Sequence, residues 1–268
     1  MKATNLKVEY MTNPIGIDYV CPRFSWIFEQ GTKQTAYQII AKDDLGNLLW
    51  DSGKVASEQM HLIPWGADDL TSRARVIWSV TIWDDNDIPE TSEEAYFEIG
   101  LLHGSDWKAK WITGDYVPKK KERYPVDCFR KSFCVSGDKK IKKARAYMSA
   151  CGVYEGKING KKIGEFVLAP GITDYRKRVQ YQTVDVTSLL TTGDNELSFM
   201  LADGWYRGSV GAWGMKNYYG SETKLLAQLE ITYEDGSMDV VATDDRFVWT
   251  NDGPIRFADN KDGEIYDA

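Results

Sequence analysis

The sequence predicts an all-β protein built from two consecutive antiparallel β-sandwich domains. Three observations carry that expectation. Apolar and polar residues alternate in short runs; in Arg75-Val76-Ile77-Trp78-Ser79-Val80-Thr81-Ile82-Trp83, the residues Val76, Trp78, Val80 and Ile82 share one face. Turn-forming residues punctuate the runs, as in Asp44-Leu45-Gly46-Asn47, Asp84-Asp85-Asn86-Asp87, Asn159-Gly160 and Asp235-Gly236. Helical periodicity is nearly absent, and a length of 268 residues suggests about two domains.

In chain order, residues 23–27, 36–41, 48–51, 75–83 and 95–99 read as strands of the first domain. Their spacing suggests an immunoglobulin-like sandwich. Gly100 and Gly104 bracket the boundary, giving a first domain over 1–103 and a second over 104–268. Residues 107–112 alternate again and should open the second domain. A polar loop follows over 114–127, and strands are expected at 129–135, 143–150, 153–158, 179–186, 196–201, 224–233 and 238–243. Residues 185–190 fit a single helical turn. Asn159-Gly160 is the signal of a type I′ hairpin turn, because both residues tolerate positive φ, and Asp235-Gly236 reads as a second such turn. The second domain is therefore expected to be jelly-roll-like.

Composition narrows the partners. The formal charge is −7, and no basic run exceeds Lys119-Lys120-Lys121, which reads as a solvated loop; nucleic acid is excluded as a partner. No stretch of about 18 apolar residues exists, so no membrane association is expected. Met1-Lys2-Ala3-Thr4-Asn5 carries no apolar signal segment, and the expected location is cytoplasmic. Cys21, Cys128, Cys134 and Cys151 form no Cys-x-x-Cys pair. Cys128 and Cys134 would lie on one strand face but roughly 20 Å apart. All four read as reduced core thiols, in keeping with a reducing compartment. His61 and His103 are too few for a histidine metal cluster.

The densest chemistry lies in Leu201-Ala202-Asp203-Gly204-Trp205-Tyr206-Arg207-Gly208. Trp205 and Tyr206 can cover the apolar faces of a pyranose while Asp203 and Arg207 bond its hydroxyls. The same residues can equally form a buried aromatic corner with Arg207 in an ordinary ion pair. The adjacent acids Asp68-Asp69 and Glu93-Glu94 would face opposite ways on a strand and cannot act jointly.

Several motifs carry a family resemblance. Trp78-Ser79-Val80-Thr81-Ile82-Trp83-Asp84 resembles a fibronectin type III module. Val153-Tyr154-Glu155-Gly156-Lys157-Ile158-Asn159-Gly160-Lys161-Lys162-Ile163-Gly164 resembles a strand–turn–strand element of glycosidase sandwich domains. Leu168-Ala169-Pro170-Gly171-Ile172-Thr173-Asp174-Tyr175, Val179-Gln180-Tyr181-Gln182-Thr183, Asp203-Gly204-Trp205-Tyr206-Arg207-Gly208 and the closing Asp262-Gly263-Glu264-Ile265-Tyr266-Asp267-Ala268 resemble, in this order, the N-terminal region of bacterial α-L-rhamnosidases of glycoside hydrolase family 78.

The resemblance implies a parent enzyme that hydrolyses terminal α-L-rhamnosyl groups with inversion. Its two carboxylates, roughly 6.5–9.5 Å apart, would belong to a downstream (α/α) barrel. It assigns no catalytic residue to this chain. The implied partners are that missing C-terminal barrel and rhamnosylated carbohydrate. The loop 211–220, with Trp213, Asn217 and Tyr218, would serve as a sugar platform or as a patch that docks the barrel. Some members resemble this chain in a domain that binds rhamnose with calcium. Hard oxygens for calcium are available at Asn251, Asp252, Asp259, Asn260 and Asp262, with Asp203 if the fold brings it near. Three roles follow: a non-catalytic support for a barrel, a carbohydrate-binding module, or a free-standing lectin.

Overall fold

The computed structural model describes residues 1–119 and 122–267 and divides into two compact units, Met1–Asp106 and Trp107–Ala268. Most of the expected lysine loop, Lys120 and Lys121, lies outside the described residues; Lys119 pairs with Glu122 at 3.4 Å.

The first unit holds β1 (Lys2–Val8), β2 (Ile15–Ile17), β3 (Arg23–Glu29), β4 (Ala36–Asp43), β5 (Leu48–Asp51), β6 (Ile63–Pro64), β7 (Arg75–Trp83), β8 (Pro89–Thr91) and β9 (Ala95–Ile99). One sheet has the order β1-β3-β6, and the other β2-β9-β7-β4-β5, with β8 added on β7. The pairing is antiparallel except between β2 and β9, which run parallel. Along β7 buried and half-buried residues alternate without a break. Its Trp78 receives the edge of Phe24, from β3 of the opposite sheet, at 4.7 Å between ring centroids. β1 escapes a pattern search because a bulge shifts its register between Thr4 and Lys7, with Asn5 at φ 50.

The second unit holds β10 (Asp127–Val135), β11 (Ile141–Cys151), β12 (Val153–Ile158), β13 (Lys161–Lys162), β14 (Gln182–Asp185), β15 (Gly193–Ala202), β16 (Lys224–Tyr233), β17 (Met238–Ala242), β18 (Val248–Thr250), β19 (Ile255–Asp259) and β20 (Gly263–Tyr266). The two main sheets are β13-β12-β15-β10-β18 and β14-β11-β16-β17, and β19-β20 forms a separate hairpin. Phe129, Leu197, Phe199 and Leu201 of the first sheet share a buried core with Ala146, Met148, Leu225 and Leu229 of the second. Both units are thus layered β-sheets. Among the described residues the helical content is a four-residue turn, α1 (Gly204–Arg207), and two 3-10 turns, one of them Thr187–Leu189, where a helical turn was expected. Among the described residues no helix is long and apolar enough to cross a membrane.

Three expectations need correction. Residues 107–112 alternate in sequence but form no strand; Ile112 makes an isolated bridge to Leu225, and Lys110 donates its N–H to the Thr243 carbonyl at 2.8 Å. The Asn159-Gly160 turn has φ of 51° and 75°, as type I′ requires, but at Asp235-Gly236 only Gly236 is left-handed. The bond from Tyr233 N–H to the Ser237 carbonyl closes a three-residue loop there, with glycine in the left-handed position. All four cysteines are free, yet only Cys151 is buried, while Cys21 and Cys134 are exposed.

One ion pair gives this unit an acid-sensitive stability. Lys131 of β10 is buried, and its ammonium donates to Asp244 at 2.8 Å and to the Ala242 carbonyl at 2.9 Å. Burial alone would raise the Asp244 pKa, but Arg246 and Lys131 together hold it at about 2. A carboxylate lowered on folding stabilises above its unfolded value, and that contribution is lost as pH falls through the folded one. Asp244→Asn is therefore expected to cost on the order of 2 kcal/mol at pH 7. In urea unfolding, the gap between wild type and variant should close as pH drops from about 5 towards 2.

Candidate functional site

The Asp203–Gly208 run lies where β15 ends and α1 begins. Gly204 has φ 53, and an added Cβ would fall 2.6 Å from Val153 Cγ2 and 2.8 Å from the backbone carbon of Gly152. Only glycine lets the strand turn this closely against β12. The single helical turn then carries Arg207 back over Asp203. Arg207 Nε donates to Asp203 Oδ1 at 2.8 Å, and Nη2 lies 2.7 Å from the same oxygen. Both residues are buried.

The pair extends into a network that sequence inspection missed. Arg207 Nη1 donates to the Tyr116 hydroxyl at 2.6 Å, and that hydroxyl donates to Asp127 Oδ2 at 3.2 Å. Asp127 is fully buried and also accepts from Thr223 Oγ1 at 3.0 Å and Trp249 Nε1 at 3.0 Å. The guanidinium sits 5.3 Å from the Tyr124 ring centroid, and Tyr116 stacks on Trp249. Burial pushes the Asp203 and Asp127 carboxyls up, with Arg207 pulling against it in both. Burial works to lower the Arg207 pKa, but Asp203 and Tyr116 together outweigh it and raise it, so it stays charged.

These bonds tie together residues from distant parts of the chain. The void lined by Tyr124, Asp203, Arg207, Lys216, Asn217 and Phe257 holds about 20 Å³. That admits about one water molecule and excludes a sugar ring. The structure thus brings Asp203, Arg207 and Asn217 together, and Asn217 contributes its backbone N–H, donated to the Arg207 carbonyl at 2.8 Å.

The aromatic candidates lie apart from this network. Tyr206 and Tyr219 pack on Tyr175 at 5.3 and 5.0 Å between ring centroids, and Tyr218 packs on Tyr219 at 4.8 Å. Arg176 lies over Tyr218 and Tyr219. Trp205 is half-buried on α1. Trp213 is 91% exposed at the tip of a loop closed by a Val210–Met215 bridge and fastened by Lys261, whose ammonium donates to the Gly211 carbonyl at 2.8 Å.

The calcium candidates are engaged with other groups, and Asp203 and Asp259 lie close enough to repel each other. Asp203 is taken by Arg207, and Asp252 pairs with Arg256 at 3.0 Å while its side chain is 91% exposed. Asp259 accepts the backbone N–H groups of Ser209, Lys261 and Asp262, and Asp262 pairs with Lys216 at 2.7 Å. Among the described residues no three His, Cys, Asp or Glu side chains are grouped to hold a metal ion. These carboxylates are already engaged by cations or N–H groups.

Comparison with known proteins places these features. Residues 3–103 match the Rha78A-like N-terminal immunoglobulin domain, and residues 139–268 match the alpha-L-rhamnosidase N-terminal domain. The fold and these matches define an N-terminal pair of β-sandwiches. The chain belongs to the N-terminal domains of the α-L-rhamnosidases. It is 40% identical to an alpha-L-rhamnosidase of Alteromonas sp. (strain LOR), over 99% of this chain and 30% of that protein. It superimposes on the Streptomyces avermitilis alpha-L-rhamnosidase complexed with L-rhamnose with a TM-score of 0.91 at 25% identity, covering 100% of this chain and 42% of that one. The Aspergillus terreus enzyme gives a TM-score of 0.91 at 31% identity, covering 99% of this chain and 31% of that one. The chain therefore spans well under half the length of these relatives.

Proposed function

We propose that this chain is the non-catalytic N-terminal region of an inverting α-L-rhamnosidase, and that it supports a catalytic part formed by the rest of the polypeptide. The observation that carries this reading is the fate of the buried acids. Asp203 and Asp127 are committed to Arg207, Tyr116, Thr223 and Trp249 around a void too small for a sugar. Inversion requires a general acid and a general base roughly 6.5–9.5 Å apart with space for water. On this reading the remaining polypeptide supplies both and cleaves terminal α-L-rhamnosyl groups. The four free thiols fit a cytoplasmic setting.

A second reading, direct contact with carbohydrate, rests on the exposure of Trp213 and on Tyr218 beside it in the same loop, at 91% and 45%. Titration calorimetry with L-rhamnose, with and without calcium, separates the two. The support reading predicts no heat of binding in either condition. Heat that disappears in Trp213→Ala assigns sugar binding to the loop instead. That variant should change stability by less than about 0.5 kcal/mol, because the ring is in solvent.

A further inference from the structure

A surface outside the 203–220 region remains uncovered. The five-stranded sheet turns two rows of side chains outward. Glu155, Met200, Cys128 and Thr250 are register partners across β12, β15, β10 and β18. Lys157, Ser198, Arg130 and Val248 form the next row. The rows line a depression of about 430 Å³. A second depression of about 180 Å³ adjoins it, sharing Glu155 and Met200, and is walled by Phe166, Val167, Leu168 and the β19–β20 hairpin.

The rim is charged and internally neutralised: Glu155 lies 3.5 Å from both Lys157 and Lys162, and Arg130 lies 3.6 Å from Glu196. Apolar groups stand in solvent along the surface: Val248 at 62% exposure, Val167 at 81% and Tyr266 at 63%, with Phe166 and Leu168 near half. All four residues of β20 are exposed, and among the described residues its only strand partner is β19. A strand edge bearing Ile and Tyr, without Pro or Lys, is a surface that proteins normally cover. An apolar centre with a paired, polar rim is the anatomy of a protein–protein interface.

We infer that this face is the seat of the C-terminal remainder of a longer polypeptide. The inference rests on the support reading above and says which surface does the supporting. Both matched domains are N-terminal ones, and the chain spans 30–42% of its curated relatives, so most of such a polypeptide follows this region. β20 reaches the groove through Glu264. Over the sheet itself a sugar is the poorer occupant, because the two outward rows hold no aromatic ring and Phe166 lines only the smaller depression. Trp249 of β18 points inward, with its Nε1–H on Asp127.

Hydrogen exchange read by mass spectrometry, on this chain and on the longer polypeptide, tests the assignment. In the longer form, amides of 166–168, 248–250 and 263–266 are expected to exchange at least tenfold more slowly, while 44–47 in the first unit stays unchanged. Val167→Asp with Tyr266→Asp should lower the melting temperature of the longer form and leave that of this chain within a degree or two. Equal exchange in the two forms overturns the proposal. So does protection of this chain alone that grows with its concentration, which marks a second copy, or protection by added L-rhamnose, which marks a sugar site. The exchange readout does not depend on turnover. A longer form that is protected but inactive on rhamnosides leaves the docking surface standing and removes the functional reading.

Discussion

Arg207→Met should destabilise the second unit by about 3–5 kcal/mol, since it removes the cation from a buried carboxylate and leaves that carboxylate behind. Asp203 would lose its ion pair, and the Tyr116 hydroxyl would lose its donor while still bonded to Asp127. The double variant Asp203→Leu with Arg207→Met should recover much of the loss, because an apolar pair leaves no orphan charge. The single variant also has a diagnostic pH response. Burial already raises the Asp203 pKa, and without the guanidinium it rises further. A carboxyl raised on folding binds protons in the folded state, so its penalty is smallest below its unfolded value and grows as pH climbs through the folded one. Urea unfolding should therefore show a smaller deficit for Arg207→Met at pH 4 than at pH 7.

Gly204→Ala should be nearly as damaging, at about 2–4 kcal/mol. Its new methyl would meet Val153 Cγ2 at 2.6 Å and backbone atoms of Gly152 and Val153 at 2.8 Å, from a left-handed φ of 53. Backbone on the neighbouring strand cannot rotate away as a side chain can. Gly160→Ala is the control: φ is 75 but nothing lies within 4 Å of the added Cβ, so only the conformational cost of about 1 kcal/mol remains. Thermal melts of the two variants should separate the effect of close approach from that of backbone conformation alone.

The fold was legible wherever burial on one face writes itself as alternation. β7, β4, β12 and β16 fall on the runs read from sequence, with boundaries shifted by two residues at most. Alternation misled at 107–112, where the chain runs along the sandwich through isolated bonds to Thr243 and Leu225 and joins no sheet. Short strands escaped for the opposite reason. β6 has two residues, too few to show a period, and β20 is exposed throughout, so nothing selects apolar residues on one side.

The site divides in the same way. Asp203 and Arg207 sit four apart, and the short helix that pairs them is local, so an ion pair was one of the two arrangements open to them. Their partners come from far along the chain: Tyr116, Asp127, Thr223 and Trp249 converge only when β10, β16 and β18 assemble. No local pattern marks such residues. Asp127 opens an otherwise amphipathic strand, and its burial is a tertiary fact. The aromatic cluster is a similar case, since Tyr175 joins Tyr206 and Tyr219 across loops.

The most direct test of the central claim is turnover of an aryl α-L-rhamnoside by these 268 residues, beside the same chain extended by its C-terminal remainder. The account predicts no hydrolysis above background from the first and hydrolysis with inversion from the second. Turnover by the 268-residue chain that is abolished by a single carboxylate substitution within it would contradict the account.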